Sequence, residues 1–355
     1  FQADDGLRDF CLSRGLGDVY KRQTSTSISM SGQSVQITND ADADASSIDV
    51  SVDESILAVV VSKGACKRGE LYLINTSSLQ KSGPYELGYN PDAVDIAVDN
   101  KFVVVVNEFD YEDGVDGGCQ SLGFPGVSVY DISAGIDKAS LVKDMKISHT
   151  GSNGNLAEPE GVKIAPNGDT VYMTLQESNE MGWFSLSNPP DVLQNKVTYS
   201  NPEHEPDGIW VNSDGTLICT AGEYDGTIGV HSLDASGKPV TQRFIKMADD
   251  LPSNWDWEDK RKGIEPEEVV IVEAGDKTFV LTTLQDAGAV VVYDITDPAN
   301  PKYDSGAITE MNDYTGDTAG TSAGEPEGLA YKNGYVLVSN TKDPSVALLK
   351  SSWAK

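Results

Sequence analysis

The feature that most constrains the fold is a repeated unit of three short, strand-like segments. In the third repeat they read GVKIA, TVYMTLQ and MGWFSLS, separated by the turn PNGD and the loop ESNE. Runs of β-branched and aromatic residues bounded by Gly, Asn and Asp are typical of strands joined by hairpins. Six such repeats run from IDVSV at 48–52 to SVALLK at 345–350. No long segment with a helical period competes with them.

A fourth, weaker strand pattern follows each of the first five repeats: YELGY, LVKDMKI, KVTYS, QRFIKM and YDSGAI. Four antiparallel strands repeated radially define the blade of a β-propeller. We therefore predict an all-β protein, a β-propeller of six four-stranded blades. The sixth repeat lacks its own fourth strand, and we expect SVQITN at 34–39 to supply it and close the ring.

An acid follows a proline at five places, each just before the first strand of a repeat. The first strand is innermost in a propeller, so these acids are predicted to ring one mouth of the central channel. The proline fixes its own φ and is expected to hold the preceding residue extended. The five acids are Asp92, Glu160, Asp207, Glu267 and Glu327.

Further acids lie where the second strands end. Because antiparallel neighbours place the end of the second strand beside the start of the first, these acids should face the same mouth. Oxygen ligands with few His or Cys residues favour a hard cation, calcium first. The alternative is that the acids only cap the backbone at the strand entry. The set is Glu108, Glu177 and Glu223, with Asp110, Asp113 and Asp116 in the acidic loop that follows Glu108.

The net charge supports cations as partners. Asp and Glu number 56 against 26 Lys and Arg, giving a formal charge of −30. Such a field repels nucleic acid and anionic membranes and attracts divalent cations. No apolar run approaches the roughly 18 residues of a membrane span.

The N-terminal segment departs from the rest. Residues 1–23 lack the basic start and apolar stretch of a secretory signal, and CLSRGLGDVYKRQ at 11–23 resembles a translated sequencing adapter. We therefore expect residues 1–23 to be a non-native segment and residues 24–355 to form a single β-propeller domain.

Basic and aromatic residues suggest a second use of the same mouth. WDWEDKRKGIEPE at 255–267 precedes Glu267, and Lys63 ends the second strand of the first repeat. Such cations clamp phosphate and the tryptophans could stack on a sugar, although a solvated loop is the alternative. The candidate ligand-binding residues are Lys63, Lys260, Arg261, Lys262, Trp255 and Trp257.

Histidine, cysteine and asparagine residues give weaker signals. The three histidines, His149, His204 and His231, show no triad spacing, so nucleophilic catalysis has little support. Cys66 and Cys119 fall in corresponding loops of neighbouring blades, and we expect a disulfide bond between them, which favours an oxidising compartment. Cys219 lies inside a strand and is expected to be a buried thiol, and Asn75 begins an N-glycosylation sequon.

The wording of the repeats resembles the choice-of-anchor I domain family. The resemblance rests on EPEGVKIAPNGDTVYMTLQESN at 158–179, EPDGIWVNSDGTLICTAGEYDG at 205–226 and the last two repeats, and it covers roughly 46–352. It implies a secreted or surface-anchored protein, related to mesenchyme-specific cell-surface glycoproteins, and some members carry a phosphatase description. Family members generally have seven blades, so the resemblance leaves two alternatives: a seven-bladed propeller that has lost an N-terminal blade, or a natural six-bladed one.

Two functions remain open from the sequence. The first is a secreted, calcium-stabilised binding, adhesion or matrix module whose ligand is a glycan, a phosphorylated group or a mineral surface. The second is a calcium-dependent phosphohydrolase of the alkaline phosphatase or phytase kind that uses the acidic mouth. The first is preferred because the residues show a cation-friendly ring without an assembled acid, base or nucleophile.

Overall fold

The protein is all-β in the computed structural model, which describes residues 34–40, 43–64, 66–109, 123–148, 150, 157–251, 264–308, 325–340 and 345–351. Its strands form six antiparallel sheets, the blades of a six-bladed β-propeller, so the predicted fold class is confirmed. The chain divides into two compact units, which among the described residues comprise 34–198 and 199–351. No helix of the described residues is long and apolar enough to cross a membrane.

The first unit contains blades 1, 2 and 3, each a sheet of four consecutive strands. Among its described residues this unit also contains a single-turn 3₁₀ helix at Ile136–Lys138. Blade 1 comprises β1 (Asp44–Val50), β2 (Ile56–Ser62), β3 (Arg68–Asn75) and β4 (Lys81–Tyr89); blade 2 comprises β5 (Pro91–Ile96), β6 (Phe102–Asn107), β7 (Gly126–Asp131) and β8 (Ser140–Lys146); blade 3 comprises β9 (Val162–Ile164), β10 (Thr170–Leu175), β11 (Glu180–Ser185) and β12 (Asn195–Thr198).

The second unit contains blades 4, 5 and 6. Blades 4 and 5 have four strands, and blade 6 has three among the described residues. Blade 4 comprises β13 (Pro206–Val211), β14 (Leu217–Gly222), β15 (Thr227–Ser232) and β16 (Arg243–Lys246); blade 5 comprises β17 (Pro266–Ala274), β18 (Lys277–Leu284), β19 (Ala289–Asp294) and β20 (Lys302–Ile308); blade 6 comprises β21 (Pro326–Lys332), β22 (Tyr335–Asn340) and β23 (Ser345–Lys350).

Residues 34–39, which were expected to complete blade 6, pack against blade 1 instead. Residues 34–40 form no strand, and Val35 and Ile37 pack against the buried side chains of blade 1. Lys81 of β4 donates hydrogen bonds to the carbonyl oxygens of Gln36 and Ile37 at 2.7 and 2.5 Å. The prediction of a closing N-terminal strand is therefore wrong for this segment, because its apolar side chains are buried on blade 1 instead.

The core of each unit lies between the faces of neighbouring blades. Alternate residues of a strand point to opposite faces, so a first strand can pack against both neighbours. In the first unit, Val94 and Ile96 of β5 pack with blade 1, whereas Ala97 packs with Val162 and Ile164 of blade 3. This packing sets the first strands β1, β5 and β9 beside one another.

A β-bulge marks the start of four first strands. Pro91 faces Asn107 across the strand pair while Val94 faces Val105, so β5 carries one extra residue. The same shift occurs in β13, β17 and β21. A bulge redirects side chains at a sheet end. In these four blades the proline-acid pair therefore opens the first strand at a point where the acid leaves the regular alternation.

The residue before the proline is not extended in these four blades. Asn90, Glu205, Glu265 and Glu325 have φ values of 41°, 42°, 45° and 44°. The expected extended conformation is wrong here because the chain must turn into the bulge. In three of these blades the carbonyl of this residue accepts the N–H of the first residue after the second strand, for example Glu108 N to Asn90 O at 3.0 Å. The bond locks together the two strand ends that carry the predicted acids.

Candidate functional site

Three predicted carboxylates converge in the first unit. Asp92 opens β5, Glu108 follows β6 of the same blade, and Glu160 precedes β9 of blade 3. One oxygen from each lies within 4.8 Å of the others, and all three side chains are half-buried. Among the described residues this is the one group of three or more acidic, His or Cys side chains close enough to hold a metal ion together. We call it the carboxylate trio.

Asn90 orients one member of the trio. Its Nδ2 donates to Glu108 Oε2 at 2.6 Å, and its own Oδ1 accepts from Ser62 Oγ at 2.8 Å. Asn also tolerates the left-handed backbone better than most residues, which suits its φ of 41°. In the NPDA segment at 90–93 the sequence predicted a role for Asp92 and none for Asn90. The signal was an amide where the other motifs carry Glu.

The trio fits a calcium ion in its chemistry and spacing. Calcium takes oxygen ligands at 2.3–2.6 Å, so two oxygens on one ion lie at most about 5.2 Å apart. The separations in the trio fall within that limit. Three carboxylates at this spacing repel one another, and a divalent cation would relieve that repulsion.

The second unit brings four other predicted acids together with a different result. Asp207 and Glu267 open β13 and β17, and their side chains are hydrogen-bonded to each other. Two carboxyl groups can share a hydrogen bond only if one of them carries a proton. Glu223 and Glu327 act electrostatically on the same Glu267 side chain.

The pKa of Glu267 shows what this crowding does. Burial raises the pKa of Glu267 well above its ordinary value, and the negative charges of Glu223, Glu327 and Glu265 raise it further. The hydrogen bond with Asp207 acts in the opposite direction. Close approach of the first strands enforces the crowding, since a Cβ on Gly208 would lie 2.5 Å from the Glu267 carbonyl oxygen. Burial and the neighbouring charges therefore favour the protonated form of Glu267.

A chain of charged groups along the first strands of the first unit was missed by the sequence analysis. Asp49 of β1, Asp95 of β5 and Lys163 of β9 interact in succession. Burial raises the pKa of Asp49 to about 7, and the nearby Asp95 charge adds to the rise while Lys163 opposes it. Burial likewise raises the pKa of Asp95, against the lowering effect of Lys163. The signal was a charged residue at the centre of otherwise apolar strands, as in VDI and VKI.

Two histidines, His204 and His231, are buried in blade 4, where their ring nitrogens contact threonine hydroxyl groups. Thr227 Oγ1 donates to Asp225 at 2.7 Å, so it must accept from His204 Nδ1 at 2.9 Å. His204 Nε2 and His231 Nε2 both lie within 3.2 Å of Thr220 Oγ1. Burial lowers the pKa of both rings, that of His231 to about 3 with a further lowering by His204. Neutral, threonine-bonded rings at zero exposure are typical of a polar core.

The remaining predicted site residues lie apart from the trio or outside the described chain. Lys63 is paired with Glu70, with Nζ 2.5 Å from Oε1. Glu177 is half-buried after β10 and is not a member of the trio. Nine predicted positions lie outside the described residues: Asp110, Asp113, Asp116, Cys119, Trp255, Trp257, Lys260, Arg261 and Lys262.

The cysteine and sequon predictions are met in part. Cys66 forms a disulfide bond, and its pairing with Cys119 stays a prediction. Cys219 is a buried thiol as expected, and burial raises its pKa. Asn75 ends β3, and its Oδ1 accepts from Ser78 N at 2.9 Å, so the predicted glycosylation asparagine takes part in a turn.

The fold and the clustered acids define the protein as an acidic β-propeller with carboxylates gathered at its strand ends. Residues 17–190 match the choice-of-anchor I domain, so the family predicted from the repeats is confirmed over that range.

Comparisons with other proteins agree on the fold. A 6-phosphogluconolactonase of Serratia proteamaculans (strain 568) is 31% identical over 116 residues, which is 32% of this chain and 34% of the relative; this chain thus matches about a third of that relative's length. The periplasmic gluconolactonase PpgL of Pseudomonas aeruginosa superposes with a TM-score of 0.63 at 16% identity, over 88% of this chain and 83% of that one. The β-propeller domain of Cps50 (Swd1) from Myceliophteria thermophila gives 0.58 at 7% identity, over 87% and 84%. Identities this low in the two structures speak for the fold alone.

Proposed function

We propose that this protein is an extracellular or surface-associated β-propeller that binds calcium through Asp92, Glu108 and Glu160 and acts as a binding, adhesion or matrix module. The observation that carries the proposal is the convergence of three carboxylates, from two blades, within 4.8 Å. The ordered carboxylate of Glu108, held by Asn90, adds support, since preorganised ligands favour binding.

The expected extracellular compartment and the net charge of the chain also support the proposal. The choice-of-anchor I match and the disulfide-bonded Cys66 favour an oxidising, extracellular compartment. Extracellular modules work at millimolar calcium, so a site with few ligands can be occupied there. The formal charge of −30 raises the local cation concentration further. A bound calcium ion would then present open coordination positions to acidic glycans, phosphorylated groups or mineral surfaces.

Calorimetric titration of the chelator-treated full chain with calcium tests the proposal. We expect at least one site with a dissociation constant in the range of about 10⁻⁵ to 10⁻³ M, and a loss of about tenfold or more in affinity for Glu108→Gln and Glu160→Gln. Asp137→Asn, an exposed acid of the same unit, is the matched control and should bind as the wild type does. Equal affinity in all four proteins would reject the trio as the site.

A second candidate function is a hydrolase, and one observation favours it. The Glu267 carboxyl, whose pKa burial and nearby charges raise well above its ordinary value, is hydrogen-bonded to Asp207. A carboxylic acid with a raised pKa beside a second carboxyl group is the arrangement that general acid and general base catalysis require. In such a reaction Asp207 would take a proton from an attacking water while Glu267 gives one to the leaving oxygen. Similarity to proteins described as lactonases extends the possible substrates from phosphomonoesters to sugar lactones.

Hydrolysis assays separate the two functions. Release of 4-nitrophenol from 4-nitrophenyl phosphate, and opening of gluconolactone, would be followed with calcium and again with a chelator. Turnover that falls about 100-fold in both Asp207→Asn and Glu267→Gln would establish the hydrolase and displace the binding module as the main function. Background rates in the wild type, together with a higher melting temperature in calcium, would leave the binding module.

A further inference from the structure

The first strands of the first unit are connected by side chains rather than by a sheet. β1, β5 and β9 belong to three different sheets, and no backbone ladder joins them among the described residues. Asp49 Oδ2 accepts the N–H of Ile96 at 2.8 Å, which ties β1 to β5. Asp95 Oδ2 accepts the N–H of Ile164 at 2.7 Å, which ties β5 to β9.

The tie between β5 and β9 is strong and specific. Asp95 is 3% exposed, and its second oxygen accepts a hydrogen bond from Lys163 Nζ. Hydrogen bonds to an ionised carboxylate are roughly twice as strong as neutral ones. Removing either partner of such a buried pair leaves a charge without compensation. The two strands are therefore held at one spacing and one register.

These are the two strands that bring the trio together. Asp92 lies three residues before Asp95 on β5, and Glu160 lies four residues before Ile164 at the entry to β9. Glu108 is held to the start of β5, because its backbone N–H donates a hydrogen bond to the Asn90 carbonyl oxygen at 3.0 Å. A shift of β9 against β5 would thus move Glu160 away from both other carboxylates.

We propose that the Asp95 carboxylate is the positioning group of the calcium site: its bond to the Ile164 N–H sets the distance between the strands that carry Asp92 and Glu160. The inference rests on the proposed function of the trio. It adds a residue that touches no ligand but decides the size of the ion that the trio accepts. Calcium and magnesium differ in ligand distance, about 2.3–2.6 Å against 2.0–2.1 Å, so a fixed spacing discriminates between them.

A charge-matched pair of variants isolates the bond. Asp95→Asn/Lys163→Met keeps an acceptor oxygen for the Ile164 N–H, and Asp95→Leu/Lys163→Met removes it. Both variants have the net charge of the wild-type pair and side chains of similar size. Calcium and magnesium affinities of the full chain would be measured by calorimetry, with the melting temperature in chelator as the check on folding.

We expect the asparagine variant to bind calcium within about twofold of the wild type. The leucine variant should bind about tenfold more weakly and lose most of its preference for calcium over magnesium, a change that a general loss of stability would not produce. If the leucine variant does not fold, Asp95→Ser/Lys163→Met replaces it, because serine is too short to span the gap. The same loss is expected.

The outcomes distinguish this inference from the proposed function. Equal losses in the asparagine and leucine variants, or wild-type affinity and selectivity in the leucine variant, would overturn the positioning role while leaving the trio as the site. Absence of calcium binding in the wild type would overturn the proposed function and the positioning role together.

Discussion

The two units of this protein use the same proline-acid motif to opposite electrostatic effect. In the first unit, Asp92 and Glu160 meet Glu108 in an arrangement that suits a divalent cation. In the second, Asp207 and Glu267 share a hydrogen bond that requires a proton. Protonation relieves the repulsion between carboxylates in the second arrangement, and the proposed calcium ion would relieve it in the first. The motif therefore fixes the position of an acid in the strand, and the surrounding side chains determine whether that acid favours a cation or a proton.

The residue before the proline explains part of the difference. The first unit has Asn90, a neutral donor to Glu108, in one motif and Glu158 in the other, whereas all three motifs of the second unit have glutamate: Glu205, Glu265 and Glu325. Each of these glutamates adds negative charge beside the acids that follow, and Glu265 contributes to the raised pKa of Glu267. The additional glutamate of the second unit therefore favours protonation of Glu267, and Asn90 adds no such charge beside Asp92.

The first strands of the two units also differ in the residues at their centres, which are charged in the first unit and apolar in the second. At the fourth residue after the proline the first unit has Asp95 and Lys163, and the second has Trp210, Val270 and Ala330. Trp210 packs against both apolar clusters of its unit, and Val270 belongs to one of them. Apolar packing does not depend on pH, whereas a buried ion pair does. The centres of the first strands should therefore make the stability of the first unit depend on pH. In the second unit a pH dependence should come instead from the strand entries, where Glu267 lies.

The largest effect is expected from breaking the ion pair. Lys163→Met leaves the Asp95 carboxylate buried without its cation, which costs about 3–5 kcal/mol of unfolding free energy at pH 8. Denaturant unfolding followed by circular dichroism measures the loss. At pH 5 the loss should shrink, because Asp95 can take up a proton. A loss that is the same at both pH values would contradict the ionic role.

Trp210→Ala is the counterpart in the second unit. It removes the side chain that packs against both apolar clusters, and we expect a loss of about 2–4 kcal/mol, since Trp210 is only partly buried. The loss should be equal at pH 5 and pH 8. Trp210→Phe, which keeps an aromatic ring, serves as the control and should lose less than half as much. A pH-dependent loss would mean that the second unit is not held by apolar packing.

The pH dependence of stability tests Asp49. Its pKa is raised from an unfolded value near 3.8 to about 7, so the folded state binds more protons between these values and stability falls as pH rises through that window. Asp49→Asn cannot titrate, and the wild type should lose roughly 1–3 kcal/mol relative to it between pH 4 and pH 7. Parallel stability curves for the two proteins would show that Asp49 titrates normally.

The smallest change in unfolding free energy is expected from replacing Glu265, the residue before the proline of blade 5, by asparagine. Glu265→Asn gives the second unit the amide of the first, removes one charge from beside Glu267 and suits the left-handed φ of 45° better. We expect a gain of about 0.5–1 kcal/mol at pH 8 and a lower pKa for Glu267, measured by NMR titration. Glu203→Gln, an exposed acid two residues before Glu205, is the control. An unchanged pKa of Glu267 would show that the charge of Glu265 does not contribute to it.

Much of the fold was predictable because its signals are local and repeated. Alternating β-branched segments and their turns predicted the strands, and the recurring proline-acid pairs predicted their alignment. The pairs named Asp92 and Glu160, and the ends of the second strands named Glu108, within a larger set of eleven candidate ligands. Two local expectations were wrong. Residues 34–40 bury Val35 and Ile37 on blade 1, and the residues before four of the prolines turn into a bulge instead of staying extended.

The sequence by itself determined which residue types stand at the strand ends, since composition and spacing are written in the chain. Only the tertiary structure decided which of them meet, because the meeting depends on contacts between strands far apart in sequence. Asp95 and Lys163 are 68 residues apart, and no local pattern pairs them. The same holds for the charge state of the acids: burial and neighbouring charges raise the pKa of Glu267, and both exist only once the blades have packed.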